Sequence, residues 1–178
     1  MRPCLLIASP QMKDPFFERS VVLIWHHDED GAIGIVLNRP LSHNLSDVLA
    51  ASENTPIEQH PGATVSWGGP VERGTGTVVA RADLPEELGW SVATGVCVTR
   101  SEQALNSLLE QRTELILCLG YAGWGAGQLD AEISSGGWLY TEASQELIFD
   151  APREALYDAA LASLGLTRST VIMKPIEA

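Results

Sequence analysis

The residues best placed to do chemistry are concentrated between Leu119 and Leu129, where Gly120, Gly123, Gly125 and Gly127 are interleaved with Tyr121, Trp124 and Gln128. Glycine admits positive φ and the close approach of another backbone, so a run of this kind either bends sharply or lets something touch its main chain. It follows the apolar Leu115-Ile116-Leu117-Cys118 and precedes an amphipathic segment, which predicts a strand, a tight loop and a helix start. Backbone N–H groups at such a start face outward and suit an anion. On that reading Tyr121, Gly123, Trp124, Gly125, Gly127 and Gln128 line a cradle for an anion or small ligand. A second reading is that the glycines only make room for Tyr121 and Trp124 to pack. The spacing is not the Gly-x-Gly-x-x-Gly of a dinucleotide site, and no Gly-Lys-Ser/Thr follows, so no nucleotide or other cofactor is expected.

Arg19, Asn38 and Arg39 are polar groups at the ends of apolar runs, where a folded chain can present them to a cleft. Arginine forks suit carboxylate or phosphate, but an acidic chain also offers them internal partners, and structural ion pairs are the competing assignment. With His27 they form, together with residues 121–128, a set expected to line one shared cleft for a small anionic ligand. His26 and His27 are adjacent on an extended backbone and point to opposite faces, so they do not jointly ligate a metal. His43 and His60 stand at no ligand spacing and no Cys–His cluster occurs, which predicts no metal site. No Gly-x-Ser-x-Gly elbow or polar cysteine offers a nucleophile, and no catalytic residue is assigned. Cys118 lies in an apolar strand and reads as an inert small hydrophobe. Trp67, Trp90, Trp124 and Trp138 read as core or loop-pinning groups, with Trp124 also able to line a pocket.

The elements that must position these residues are short. Cys4 to Ala8 predicts a buried strand, Gln11 to Phe17 an irregular segment, and Val21 to Leu37 a hairpin turning at the acidic Asp28-Glu29-Asp30-Gly31. A brief helix is expected around Leu45, Val48 and Leu49, then a surface loop from Ser52 to Ala63. Strands are expected at Val65–Gly69, Thr77–Ala82 after a turn at Glu72–Gly76, and Trp90–Val98. A capping box at Thr99-x-x-Glu102 predicts a helix to Gln111. After the glycine stretch come a short helix carrying Leu129 and Ile133, strands at Trp138–Tyr140 and Leu147–Phe149, and a helix from Pro152 to Gly165.

Composition bounds the function. With 178 residues, 45% of them hydrophobic, and no compositional break, one domain spanning 1–178 is expected. Eleven basic residues against 23 acidic ones give a net charge of −12, which repels nucleic-acid backbones and anionic membrane surfaces. Cys4, Cys97 and Cys118 have no CxxC spacing and no signal sequence opens the chain, so a reducing cytoplasm is expected. No apolar run approaches the roughly 20 residues that span a bilayer as a helix.

Several blocks carry a resemblance. Gly-Tyr-Ala-Gly-Trp-Gly-x-Gly-Gln-Leu at 120–129, followed by Glu132 and Trp138, is similar to the signature of the bacterial YqgE/AlgH family. Leu6-Ile7-Ala8-Ser9-Pro10, Asp14-Pro15-x-Phe17-x-Arg19-Ser20-Val21-Val22, Gly31-Ala32-x-Gly34-x-Val36-Leu37-Asn38-Arg39-Pro40 and Gly68-Gly69-Pro70-Val71 follow the family's order and spacing, so the resemblance spans nearly the whole chain. It implies an α+β fold, with a mixed, mostly antiparallel sheet curled into a pseudo-barrel and flanked by helices. It also implies a link to transcriptional regulation of alginate, with no established biochemical activity. Arg19, Asn38 and Arg39 match the family pattern, whereas His26 stands where the family usually has glutamate, which weakens any acid–base role for His27. Three functions follow: a non-catalytic regulatory domain binding a small anionic ligand or a protein partner, an enzyme using Arg19, His27, Asn38 and the glycine loop, or a structural partner in a complex.

Overall fold

The computed structural model describes residues 2–50 and 60–173; most of the expected loop from Ser52 to Ala63 lies outside them. One nine-stranded sheet, curled into a half-barrel, organises the chain. Its strands are β1 (Cys4–Ala8), β2 (Val21–Asp28), β3 (Gly31–Val36), β4 (Ala63–Trp67), β5 (Val71–Ala80), β6 (Trp90–Ala93), β7 (Val96–Thr99), β8 (Leu115–Gly125) and β9 (Trp138–Glu142). They run in the order β6-β7-β5-β8-β3-β2-β1-β9, with β4 also paired to β8. Pairing is antiparallel except between β4 and β8. The helices are α1 (Leu45–Ala50), α2 (Glu102–Glu110), α3 (Gln128–Ser134), α4 (Leu156–Ser163) and α5 (Arg168–Met173). The α+β class with a curled, mostly antiparallel sheet is the architecture expected. No described helix is long and apolar enough to cross a membrane.

Strand composition explains the curl. β1 and the first half of β2 are aliphatic on both faces and fully buried, so the sheet must wrap around them. Strand β8 changes neighbours along its length: Leu115–Leu119 pair with β4 and β5, while Ala122–Gly125 pair with β3. Between the two halves Gly120 has φ +77°, and a Cβ there would run into the carbonyl oxygen of Gly69. Glycine is therefore required at this crossing. The larger core includes Leu23, Ile35, Ile116, Cys118 and Leu156; the smaller, which includes Leu105, Leu108, Leu115 and Leu117, lies under α2.

Several local expectations are corrected. The glycine stretch is not a loop: β8 continues through Gly120 and Gly123 to Gly125, leaving only Ala126 and Gly127 before α3. Residues 72–76 are not a turn but a bulged part of β5, where Glu72 adopts φ +45° and the register with β8 shifts. Trp90–Val98 is a hairpin, turned at Thr94-Gly95 with Gly95 at φ +68°. Helix α2 is capped by Ser101, whose Oγ accepts the Ala104 N–H, in place of Thr99. Residues 147–149 form no strand: Ser144 accepts the Leu147 and Ile148 N–H groups and starts a π-helical turn that buries Ile148 and Phe149. Helix α5 lies beyond the helices the pattern predicts.

Candidate functional site

Three groupings hold the chemistry-bearing side chains. The first fixes the end of β8. Gln128 accepts the Gly125 N–H at 3.0 Å and donates to Glu132 Oε1 at 2.9 Å; Glu132 Oε2 accepts the indole N–H of Trp124 at 3.0 Å and of Trp138 at 2.9 Å. Phe17 packs against both indoles. His27 Nε2 lies 3.4 Å from Asp130 Oδ2 on α3. Thus Trp124, Gly125, Gln128 and His27 are brought to one place, and Glu132, the carboxylate that ties Trp124, Trp138 and Gln128, was seen in the sequence only as part of a motif. The amide of Gly125 that would have faced an anion is already occupied by Gln128, and Asp130 adds negative charge in the first turn of α3.

The second grouping surrounds Asn38. Its Oδ1 accepts the Val21 N–H at 2.9 Å and its Nδ2 donates to the Arg19 carbonyl at 2.9 Å; Arg39 donates to the Glu18 carbonyl. These bonds hold the 14–20 turn, in which Asp14 Oδ1 accepts the Phe16 and Phe17 N–H groups and Arg19 sits at φ +54°. The turn touches both groupings, because Phe17 faces Trp124 while Phe16 stacks on Trp67, 6.1 Å between centroids and 16° between planes. Phe16, Trp67, Pro15, Asn38, Pro40, Leu41, Arg39 and Arg73 line a shallow cavity, open to solvent, of about 540 Å³, and no residue of 121–128 does. Neither Arg39 nor Arg73 has an ion-pair partner among the described residues.

The third grouping was missed by the sequence reading. The Arg100 guanidinium lies between Trp25 and Tyr121, 5.4 and 5.1 Å from their ring centroids, with Nε donating to Thr77 Oγ1 at 3.0 Å. Trp90, 47% exposed, stands 6.3 Å from Trp25. A polar residue at the end of an apolar strand is the signal that was available, the same one that drew attention to Arg39. Gly123 and Gly127 contribute no side chain and belong to none of these contacts; a Cβ at Gly123 would only touch the Tyr121 ring, and one at Gly127 would meet nothing.

The titrating groups give no sign of an activated nucleophile. All three cysteines are buried free thiols, and burial pushes Cys4 and Cys97 up to about 11 and Cys118 up to about 12. The Asp28 carboxyl is held below its ordinary value by the Asp30 backbone N–H, with His26 beside it adding to the effect. No group of three or more His, Cys, Asp or Glu among the described residues is placed to hold a metal ion.

Comparison with known proteins sets this geometry in a family. The AlgH-like family profile matches residues 5–169. A UPF0301 protein of Alcanivorax borkumensis is 39% identical over 173 residues, 94% of this chain and 90% of its own. The solution structure of the AlgH protein from Pseudomonas aeruginosa superposes with a TM-score of 0.76 at 33% identity, over 99% of this chain and 95% of that one. A crystal structure from Corynebacterium diphtheriae, at 20% identity and TM-score 0.74 over 99% and 88% of the two chains, shares the fold.

Proposed function

This chain belongs to the AlgH-like family, and from that premise we propose that it is a non-catalytic, regulatory binding domain whose ligand is a small planar anion. The observation that carries the reading is the 540 Å³ cavity in which Arg39 and Arg73 flank the stacked Phe16 and Trp67. Its volume is that of a small-molecule site, about 300–1,000 Å³. Flat apolar walls accept a ring, and arginine forks accept a carboxylate or phosphoryl group. Phe16 is 42% exposed, so a ligand stacked there removes apolar surface from water. The two arginines also stand out electrostatically, since in a chain of net charge −12 neither has an ion-pair partner among the described residues.

Thermal unfolding with 2-naphthoate and with neutral 2-naphthamide tests this. Only the anion is expected to raise the midpoint, and Arg73→Ala is expected to weaken its binding about tenfold, in line with the loss of one charge-assisted bond. Arg73 is exposed and makes no hydrogen bond among the described residues, so that variant keeps the fold; Arg39 also holds the Glu18 carbonyl and is the less clean choice. Equal shifts from acid and amide, or an unchanged shift in Arg73→Ala, refute the reading.

A further inference from the structure

We propose that Arg100 is the oxyanion-reading residue of a second binding site, just past the end of β7, for a carboxylate or phosphoryl group carried on an aromatic or apolar stem. The inference is independent of the Arg39 and Arg73 cavity and uses other elements. Arg100 follows β7 directly, Thr77 is on β5, Tyr121 on β8 and Trp25 on β2, so four strands of the curl converge on one guanidinium.

The geometry separates the two ends of that side chain. Nε is fixed by the Thr77 hydroxyl, itself fully buried, and the guanidinium is held between two ring faces. Its position is thereby set without using either terminal nitrogen. Among the described residues Nη1 and Nη2 make no hydrogen bond and no carboxylate lies within ion-pair distance, although the residue is exposed. A planar fork, pre-positioned and unneutralised, matches the two oxygens of a carboxylate or phosphoryl group and loses little rotamer freedom on binding. Trp90 supplies the second half of the site. It extends the aromatic row beyond Trp25 on β6, an edge strand of the sheet, and its exposed face is an apolar shelf for the stem of the ligand. The competing account makes Arg100 a plug that covers the apolar interior and nothing more. A plug needs only the stem and the stacking, which Arg100→Met keeps.

Two-dimensional NMR of the indole N–H groups resolves the question, because Trp25 and Trp90 report this site and Trp67 reports the other cavity. The probes are phenyl phosphate, 3-phenylpropionate and neutral 3-phenylpropionamide, added to wild type, Arg100→Lys and Arg100→Met. The expected result is saturable shifts of the Trp25 and Trp90 signals with the anions and none with the amide. Arg100→Lys, which keeps the charge and loses the fork, should weaken binding at least fivefold, and Arg100→Met, which keeps the stem as a plug, should abolish it. Tighter binding of phenyl phosphate assigns a phosphoryl source, and tighter binding of 3-phenylpropionate a carboxylate source. Shifts from the amide equal to those from the anions, undiminished binding in Arg100→Lys, or no saturable shift of these two indoles up to 50-fold molar excess overturns the proposal. If Arg100→Met does not fold, Arg100→Lys decides alone.

Discussion

Replacing Glu132 by Gln removes one negative charge and one acceptor oxygen from a point where three donors converge. In wild type Oε2 takes two indole N–H groups and Oε1 takes the Gln128 amide. A glutamine at 132 has a single oxygen. Turned toward Trp124 and Trp138, it leaves its own NH₂ against the Gln128 NH₂; if Gln128 then rotates to offer its oxygen, the Gly125 N–H loses its acceptor. Whichever way the amides turn, one donor is unpaired. Bonds to a charged group contribute about 1.5–3 kcal/mol each and neutral ones about 0.5–1.5, so weakening the two indole bonds removes about 2 kcal/mol. The unpaired donor adds little where water reaches Gly125, which is exposed, and up to about 2 kcal/mol if an indole is the loser, because Trp124 and Trp138 are 7% and 2% exposed. The expected destabilisation is about 2–4 kcal/mol for Glu132→Gln and at least as much for Glu132→Ala. Urea unfolding followed by near-UV circular dichroism measures it, with Glu110→Gln, an exposed carboxylate without a described partner, as the baseline. A Glu132→Gln protein within about 0.5 kcal/mol of that baseline would refute the assignment of Glu132 as the tie between α3 and β8.

Other outcomes follow from the same structure. Asn38→Ala leaves the buried Val21 N–H without its acceptor, so about 1–3 kcal/mol should be lost, with faster hydrogen exchange at Val21 as the local readout. Gly120→Ala drives a Cβ into the Gly69 carbonyl and is expected to cost more than about 3 kcal/mol, whereas Gly127→Ala, also at positive φ but in open space, costs about 1–2 kcal/mol; equal losses in denaturation midpoint would mean the crossing at Gly120 is not tight. The three thiols have raised folded-state values, so the native state holds their protons longer than the unfolded chain does. Their contribution is complete below about pH 9 and is lost as pH rises toward 11–12, each thiol approaching about 1.4 kcal/mol per pH unit; Cys118→Ala should flatten that alkaline slope whatever it does to stability at pH 7. Below pH 9 the native thiols should also fail to react with a disulfide reagent at a rate faster than unfolding.

The hairpin from Val21 to Val36 was legible because its information is local, a β-branched run, an acidic two-residue turn and a second run. Asn38 and Arg39 were correctly singled out as polar groups at a strand end, but their partners are the Val21 N–H and the carbonyls of Arg19 and Glu18, far back along the chain. No spacing rule distinguishes such a clamp from a ligand site. The glycines failed for a related reason. A sequence shows that glycine is present but not which of the four lacks room for a side chain; Gly120 does, against Gly69, while Gly123, Gly125 and Gly127 have room for one. The turn at Gly95 was hidden by the unbroken apolar pattern on either side of it, and the segment 147–149 was too short for period alone to separate strand from helical turn. Arg100 carried the same strand-end signal as Arg39, but its partners Trp25 and Tyr121 are brought to it only by the curl of the sheet.

That curl links the two binding proposals physically. At Gly120 strand β8 leaves β4 and from Ala122 it pairs with β3, while β5 stays beside it as far as Tyr121, so its change of neighbours falls within two residues, Gly120 and Tyr121. Trp67 pairs with Leu119 just before the crease and Tyr121 pairs with Val71 just after it. One aromatic wall of each proposed site therefore hangs on the same two-residue switch, Trp67 for the Arg39 and Arg73 cavity and Tyr121 for Arg100. A side chain at 120 would force Gly69 away and shift both walls together, so Gly120 would bear on both proposed sites through backbone position. The glycine stretch at 120–127 thus sets the backbone on which both proposed sites are built, and the groups those proposals bring to a ligand are the arginines on the strands and turns around it.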